Sequence, residues 1–281
     1  MSAAQPASSD RDHIEADLGV LAGVTDRGLR HSRNEDAMAL AVAELAAGPA
    51  AVAVVSDGIS TSDRPDEASL AAAEAVLGAL VGAVQAGADL EEACRDATQS
   101  AADAVQALAG ESADQPSATL IAAVVTSDAV TTCWLGDSRA YWLAGSGARR
   151  LTRDDSLAEE MVAAGLLSEP EAMASAHAHV VTRWLGGDPA EATPHVLRFE
   201  PPGPGALLLC SDGLWNYRPG AEQLAALVLP GALTDPLAAA DALVKVALDA
   251  GGMDNITAVL VPFPPARRAV PDDPDETALD T

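Results

Sequence analysis

Acidic residues sit where apolar strands meet turns, and this placement restricts the possible fold more than any other feature of the chain. The motifs are Asn34-Glu35-Asp36, Ser56-Asp57-Gly58, Ser211-Asp212-Gly213 and Met253-Asp254-Asn255. The run Ala51 to Val55 leads into Asp57, and Ala206 to Cys210 leads into Asp212. Asp254-Asn255 instead precedes its strand, Ile256 to Val261. A carboxylate at the end of a buried strand is costly unless a cation neutralises it. The fold must therefore gather distant strand ends around positive charge. A hard divalent ion meets that need, because Mg²⁺ and Mn²⁺ prefer carboxylate, carbonyl and water oxygens.

The remaining sequence sets the frame. The chain has 281 residues, 49% of them hydrophobic but only 3% aromatic, so its core must be built from Ala, Val and Leu. Lys245 is the one lysine, and the net charge is −26. Such a surface repels phosphate backbones and anionic lipid, so neither nucleic acid nor a membrane is expected as a partner. Cys94, Cys133 and Cys210 are scattered, with no spacing that suggests zinc, and are expected as buried thiols in a cytoplasmic protein. Met1 to Asp12 is polar and lacks a signal segment, and no apolar run is read as reaching membrane-spanning length.

Residues 1–14 are expected as a disordered leader, 15–263 as one domain and 264–281 as a disordered acidic tail. Strands are predicted over 17–24, 37–44, 50–57, 118–126, 129–136, 139–143, 194–199, 205–211 and 255–262. Two Ala-rich helices fit between Asp57 and Ser117. Leu70, Ala73, Leu77 and Leu80 recur at helical spacing in the first, and the second covers about 90–109. Further helices suit 220–228 and 236–249, and 155–190 is expected as an irregular, partly helical insert. This order is not a regular alternation of strand and helix. It points to an α+β layered sandwich, with antiparallel sheets packed together and helix pairs outside.

Several motifs keep a recognisable order. They are Val24-Thr25-Asp26-Arg27-Gly28, Asn34-Glu35-Asp36, Ser56-Asp57-Gly58, Ser117-Ala118-Thr119, Gly136-Asp137-Ser138-Arg139-Ala140-Tyr141, Leu151-Thr152-Arg153-Asp154, Thr182-Arg183, Cys210-Ser211-Asp212-Gly213-Leu214 and Asp254-Asn255-Ile256-Thr257. In these residues the chain resembles the metal-dependent Ser/Thr protein phosphatases (the PPM or type 2C family) in their bacterial form, from about Gly19 to Pro262. The resemblance implies a four-layer α-β-β-α sandwich with two mostly antiparallel sheets. It implies two Mn²⁺ or Mg²⁺ ions at one sheet edge and a third, weaker ion. Asp57 would bridge the first two ions, with the Gly58 carbonyl on one and Asp212 and Asp254 on the other. Glu35 would act directly or through water, supported by Asp36, and Asp137 would help hold the third ion. A hydroxide held between the two ions would attack phosphorus in line and release the Ser or Thr oxygen. The expected partners are phosphorylated proteins, substrates of bacterial Ser/Thr kinases, met by a monomer in the cytoplasm.

Each residue also has a plainer reading. An Asp-Gly pair is commonly a turn. Asp137 fits the cap of a hairpin. Ser117, Thr119 and Ser211 suit structural roles, and His177 and His179 suit solvent.

The chain departs from the family pattern at three points. His31 stands where the family places a phosphate-binding Arg, and imidazole cannot copy a bidentate fork. Arg33 or Arg30 is expected to restore that contact, with His31 assisting. Ile59 follows Gly58 where eukaryotic relatives have a His proposed as proton donor. Asp154-Asp155-Ser156 replaces an Asp-His-Ser sequence, which suggests an altered flap, although Asp155 also suits the N-cap of a helix over 156–165. Asp57, Asp212, Asp254, His31 and Arg33 are the expected catalytic set. The alternative functions are a regulatory or inactive member of the fold that binds a phosphoprotein, and a different metal hydrolase on the same sandwich.

Overall fold

The structure is a computed structural model that describes residues 11–110, 114–175, 177–189, 192–229 and 231–267. Strands β1 (His13–Asp17), β2 (Ala22–Asp26), β3 (Asp36–Leu45) and β4 (Gly48–Asp57) come first, followed by helices α1 (Pro65–Ala86) and α2 (Leu90–Gln106). Next come β5 (Leu120–Val125), β6 (Val130–Leu135), β7 (Arg139–Leu143) and β8 (Arg149–Arg150), then α3 (Leu157–Ala163) and α4 (Glu169–Met173). The chain continues through β9 (His195–Phe199), β10 (Gly205–Cys210), α5 (Asp212–Trp215), α6 (Ala221–Val228), α7 (Gly231–Thr234), α8 (Pro236–Asp249) and β11 (Ile256–Phe263).

Two antiparallel sheets result. One has the order β1-β2-β11-β10-β7-β8, and the other β3-β4-β5-β6-β9. Period-two alternation assigns each strand's side chains to two different cores. Along β4, Val52 and Val54 pack under α1 and α2, whereas Ala51, Ala53 and Val55 face the opposite sheet. Along β10, Ala206, Leu208 and Cys210 pack under the C-terminal helices, whereas Leu207 and Leu209 face inward. These strands are buried on both faces, so they read as unbroken apolar runs, and the layers stack α-β-β-α as expected. Few bulky rings fill the space between the sheets. Trp142 meets Phe199 and Phe263 edge-on, with ring centroids 5.4 and 5.7 Å away.

Several expectations need correction. The run 17–24 is not one strand. Asp17 ends β1, its carboxylate accepts from the Gly19 N–H at 2.8 Å, and the chain turns through Gly19 at φ 72°. Of the proposed leader, residues 1–10 lie outside the described residues, while His13 and Ile14 belong to β1. Of the proposed tail, 268–281 lie outside them, and Arg267 pairs with Glu44 at 3.0 Å. Helix α1 is long and apolar enough to cross a membrane, with a mean hydropathy of 1.6. Here its Ala72, Val76, Leu80 and Val84 are buried in the core shared with α2, β3 and β4. Asp155 does not cap α3. Ser156 does, accepting from the Glu159 N–H at 3.3 Å.

Candidate active site

The site forms where both sheets end together. Asp36 opens β3 and Asp57 closes β4, and they stand opposite each other in the ladder. In the other sheet Cys210 pairs with Ala258, which brings Asp212 at the start of α5 near Asp254 just before β11. Hydroxyls join the two sheets at this edge. Ser211 Oγ and Thr257 Oγ1 donate to Asp36 Oδ2 at 2.8 and 2.7 Å. Asn255, whose role the sequence did not reveal, clamps the loop that carries the first motif. Its Oδ1 accepts from the Glu35 N–H at 2.7 Å, and its Nδ2 donates to the Arg27 and Arg33 carbonyls at 2.7 and 3.1 Å.

Two glycines are required by close approach. A Cβ on Gly213 would lie 1.9 Å from the Asn255 carbonyl oxygen, and one on Gly58 would lie 2.4 Å from the Pro65 carbonyl oxygen. Gly58 is not among the residues with positive φ. Crowding, not an unusual turn of its carbonyl, is what demands glycine there.

The acids strain against one another. Burial pushes the Asp36 carboxyl up to about 6 against its two hydroxyl donors, and the charge of Asp254 adds to the rise. Burial, and then the charges of Asp36, Asp212, Asp254 and Asp137, push Asp57 well above the ordinary carboxylate range. Asp212 rises likewise through burial, Asp137 and Asp254, although Asn216 Nδ2 donates to it at 3.2 Å. Burial and the charge of Asp154 raise Asp137 to about 7, with Arg139 pulling the other way. Asp137 lies in the β6–β7 turn, where its carbonyl accepts from the Trp215 indole at 2.9 Å.

Protein donors partly satisfy this cluster. Glu35 accepts from Ser60 Oγ at 2.5 Å and Arg33 Nε at 3.1 Å. His31 places Nε2 3.1 Å from Asp254 Oδ1 and Nδ1 3.9 Å from Glu35 Oε2. Arg33 also reaches Asp66 at 3.4 Å, so it spans two carboxylates at the rim, while Arg30 is exposed. Among the described residues, no three His, Cys, Asp or Glu side chains close around one point as a finished metal cage. Of the three acids expected to converge on one cation, Asp212 accepts from Asn216 and Asp254 lies beside His31, while the charges of Asp212 and Asp254 both act on Asp57. The chemistry of the donor set nonetheless suits hard cations. It is all oxygen, it is short of positive charge, and it includes the buried Asp36 Oδ1, which has no hydrogen-bond partner.

The insert approaches the site from the side. His179 stacks on Trp215 with ring centroids 6.2 Å apart. His177 is exposed. Asp155 ties the base of the insert down. It accepts from the Gly136 N–H at 3.0 Å, His195 Nε2 lies 2.8 Å away, and Arg183 lies 3.3 Å away.

The acids thus line one edge of an α-β-β-α sandwich, where strands of both sheets end. The chain matches the protein phosphatase 2C family over residues 27–239 and belongs to it. It is 37% identical over 144 residues to the serine/threonine phosphatase Stp of Listeria innocua, covering 51% of this chain and 55% of that protein. The chain thus spans about half the length of the curated relatives it matches. Its fold is similar to that of MsPP, a PPM Ser-Thr phosphatase from Mycobacterium smegmatis solved with cacodylate, at TM-score 0.70 and 29% identity over 86% of this chain and 97% of that one. It is also similar to the catalytic domain of the phosphatase PstP solved with two manganese ions, at TM-score 0.67 and 26% identity over 86% and 97% of the two chains.

Proposed function

We propose that the chain hydrolyses phosphoserine and phosphothreonine in proteins, with two divalent ions, Mn²⁺ or Mg²⁺, at the edge where the sheets end. The observation that carries this reading is the gathering of Asp36, Asp57, Asp212 and Asp254 from the ends of both sheets into one mutually repelling cluster. Asp57, Asp212, Asp254 and the Gly58 carbonyl would hold the ions, Glu35 and Asp36 would support them, and Asp137 would serve a third. Bound cations at such a site supply charge for the transferring phosphoryl group and lower the pKa of water.

The protein's own residues prepare that site. Ser211 and Thr257 fix one oxygen of Asp36 and leave Oδ1 unpartnered beside the cluster. Asn255 fixes the loop that presents His31, Arg33 and Glu35. Arg33 brings a guanidinium to the rim, where an anionic phosphoryl group must enter, and His31 orients Asp254. The proposed partners are phosphorylated proteins made by bacterial Ser/Thr kinases, met by a cytoplasmic monomer. The charge of −26 argues against nucleic acid or an anionic membrane as a partner. The presence of every expected carboxylate favours this reading over a scaffold without activity. The test is phosphate release from a phosphothreonine peptide with Mn²⁺ and with chelator. Release that survives chelation overturns the proposed chemistry.

A further inference from the structure

Asp212 opens α5, a single helical turn that folds back on it. The Asn216 N–H and Nδ2 donate to the Asp212 carbonyl and carboxylate at 2.9 and 3.2 Å. From this turn two further side chains reach the loops that carry neighbouring acids. The Trp215 indole N–H donates to the Asp137 carbonyl in the β6–β7 turn at 2.9 Å. The Tyr217 hydroxyl accepts from the Met253 N–H, one residue before Asp254, at 3.0 Å. The backbone approaches the same loop, since a Cβ on Gly213 would lie 1.9 Å from the Asn255 carbonyl oxygen. The charges of Asp137 and Asp254 both act on Asp212, so the three carboxyls are electrostatic neighbours.

These bonds oppose the repulsion among the acids. Like charges at close range favour loops that swing apart. Trp215 and Tyr217 are neutral, and they hold the two loops by backbone groups, so they spend no carboxylate oxygen of Asp137 or Asp254. Trp215 is itself fixed. It is fully buried, and the Arg139 guanidinium lies 3.6 Å over its ring while donating to Asp154 at 2.6 Å. A buried indole needs an acceptor wherever it stands. Here that acceptor belongs to an acid of the cluster, and the second bond, from the same short segment, reaches the residue beside another. Metal affinity depends on how firmly outer residues preset the ligands. We infer that Trp215 and Tyr217 are positioning residues for the divalent ions, with Trp215 setting Asp137 and Tyr217 setting Asp254 at a fixed spacing from Asp212. The inference rests on the two-ion reading and adds to it the residues that hold the ligands in place.

The test measures Mn²⁺ affinity of the full chain from the electron paramagnetic resonance signal of the free ion. Tyr217→Phe keeps the ring and loses only the oxygen that the Met253 N–H reaches. Trp215→Phe keeps an aromatic ring under Arg139 and loses the indole N–H. Each is expected to weaken Mn²⁺ binding roughly three- to tenfold, the scale of one hydrogen bond's net contribution. Thr132→Val is the control for general loosening. It removes a buried hydroxyl that donates to the Ala122 carbonyl at 2.8 Å within the β5–β6 pair. It should melt at a lower temperature and bind Mn²⁺ as the wild type does. Unchanged affinity in Tyr217→Phe overturns the inference for Asp254, and unchanged affinity in Trp215→Phe overturns it for Asp137, whatever the melting temperatures. An equal loss of affinity in Thr132→Val overturns it for both. Mn²⁺ binding by the wild type with indifferent variants rejects the positioning role alone. A wild-type chain that binds no Mn²⁺ rejects the two-ion reading and the positioning role with it.

Discussion

The Ser211 hydroxyl donates to Asp36 Oδ2 at 2.8 Å, although Ser211 follows a strand of one sheet and Asp36 opens a strand of the other. The same Oγ accepts from the Thr257 N–H at 3.0 Å. One hydroxyl thus holds both the seam between the sheets and the orientation of a buried acid.

Ser211→Ala removes a donor from Asp36 and an acceptor from Thr257 in a single step. Leaving such groups unsatisfied costs about 1–3 kcal/mol. A lower urea midpoint with an unchanged slope is the expected result. An unaltered midpoint would show that water replaces the hydroxyl at no cost.

The raised acids give the metal-free protein an inverted pH dependence. The ordinary value for these groups is 3.8, and Asp36 and Asp137 rise to about 6 and 7 in the fold. A carboxyl whose folded value is raised disfavours the folded state once it must ionise. No penalty applies below about pH 4, and it grows as pH rises through 6 to 7. In chelator, the melting temperature should therefore fall between pH 5 and pH 8, and Mn²⁺ should reduce that fall. A melting temperature that climbs over the same range would contradict this account.

Much of this was legible in the sequence, and the misses have physical causes. The strands ending at Asp57 and Cys210 are buried on both faces, so their apolar runs end at the motifs. By contrast β1, His13-Ile14-Glu15-Ala16-Asp17, is an edge strand with alternating exposure and no apolar run to betray it. Helices α5 and α7 have four residues each, too few for a periodic signal. The clamp by Asn255 and the link from Asp155 to His195 depend on contacts distant in sequence, which no local pattern encodes.

Asp212→Asn should separate stability from activity. Asp212 is raised by burial and by Asp137 and Asp254, so removing its charge relieves repulsion in the absence of metal. An amide oxygen still accepts from Asn216. The expected outcome is a higher melting temperature in chelator at pH 8, a smaller gain on adding Mn²⁺, and loss of phosphate release. A lower melting temperature in chelator would mean that the acids are not crowded.

Arg33→Ala tests the proposal that Arg33 supplies the phosphate contact that the imidazole of His31 cannot copy. Arg33 bridges Glu35 at 3.1 Å and Asp66 at 3.4 Å and is 44% exposed, so its contribution is partly screened. A rise in KM of roughly three- to tenfold for a phosphopeptide, with a smaller change in kcat, is expected. An unchanged KM would remove Arg33 from phosphate binding.

The ion pair beneath the site should be the most costly to break from one side. Arg139 is almost fully buried, donates to both oxygens of Asp154 at 2.6 to 3.1 Å, and lies 3.6 Å over the Trp215 ring. The Trp215 indole in turn holds the carbonyl of Asp137. Asp154→Ala leaves a guanidinium in the core beside Tyr141 without its carboxylate, and removing one partner of a buried pair costs ~3–5 kcal/mol. Arg139→Met in the Asp154→Ala background removes the stranded charge and keeps apolar bulk against Trp215. The double variant should therefore be more stable than Asp154→Ala alone in urea unfolding. If both variants unfold at the same urea concentration, the cost lies in lost packing and not in an uncompensated charge.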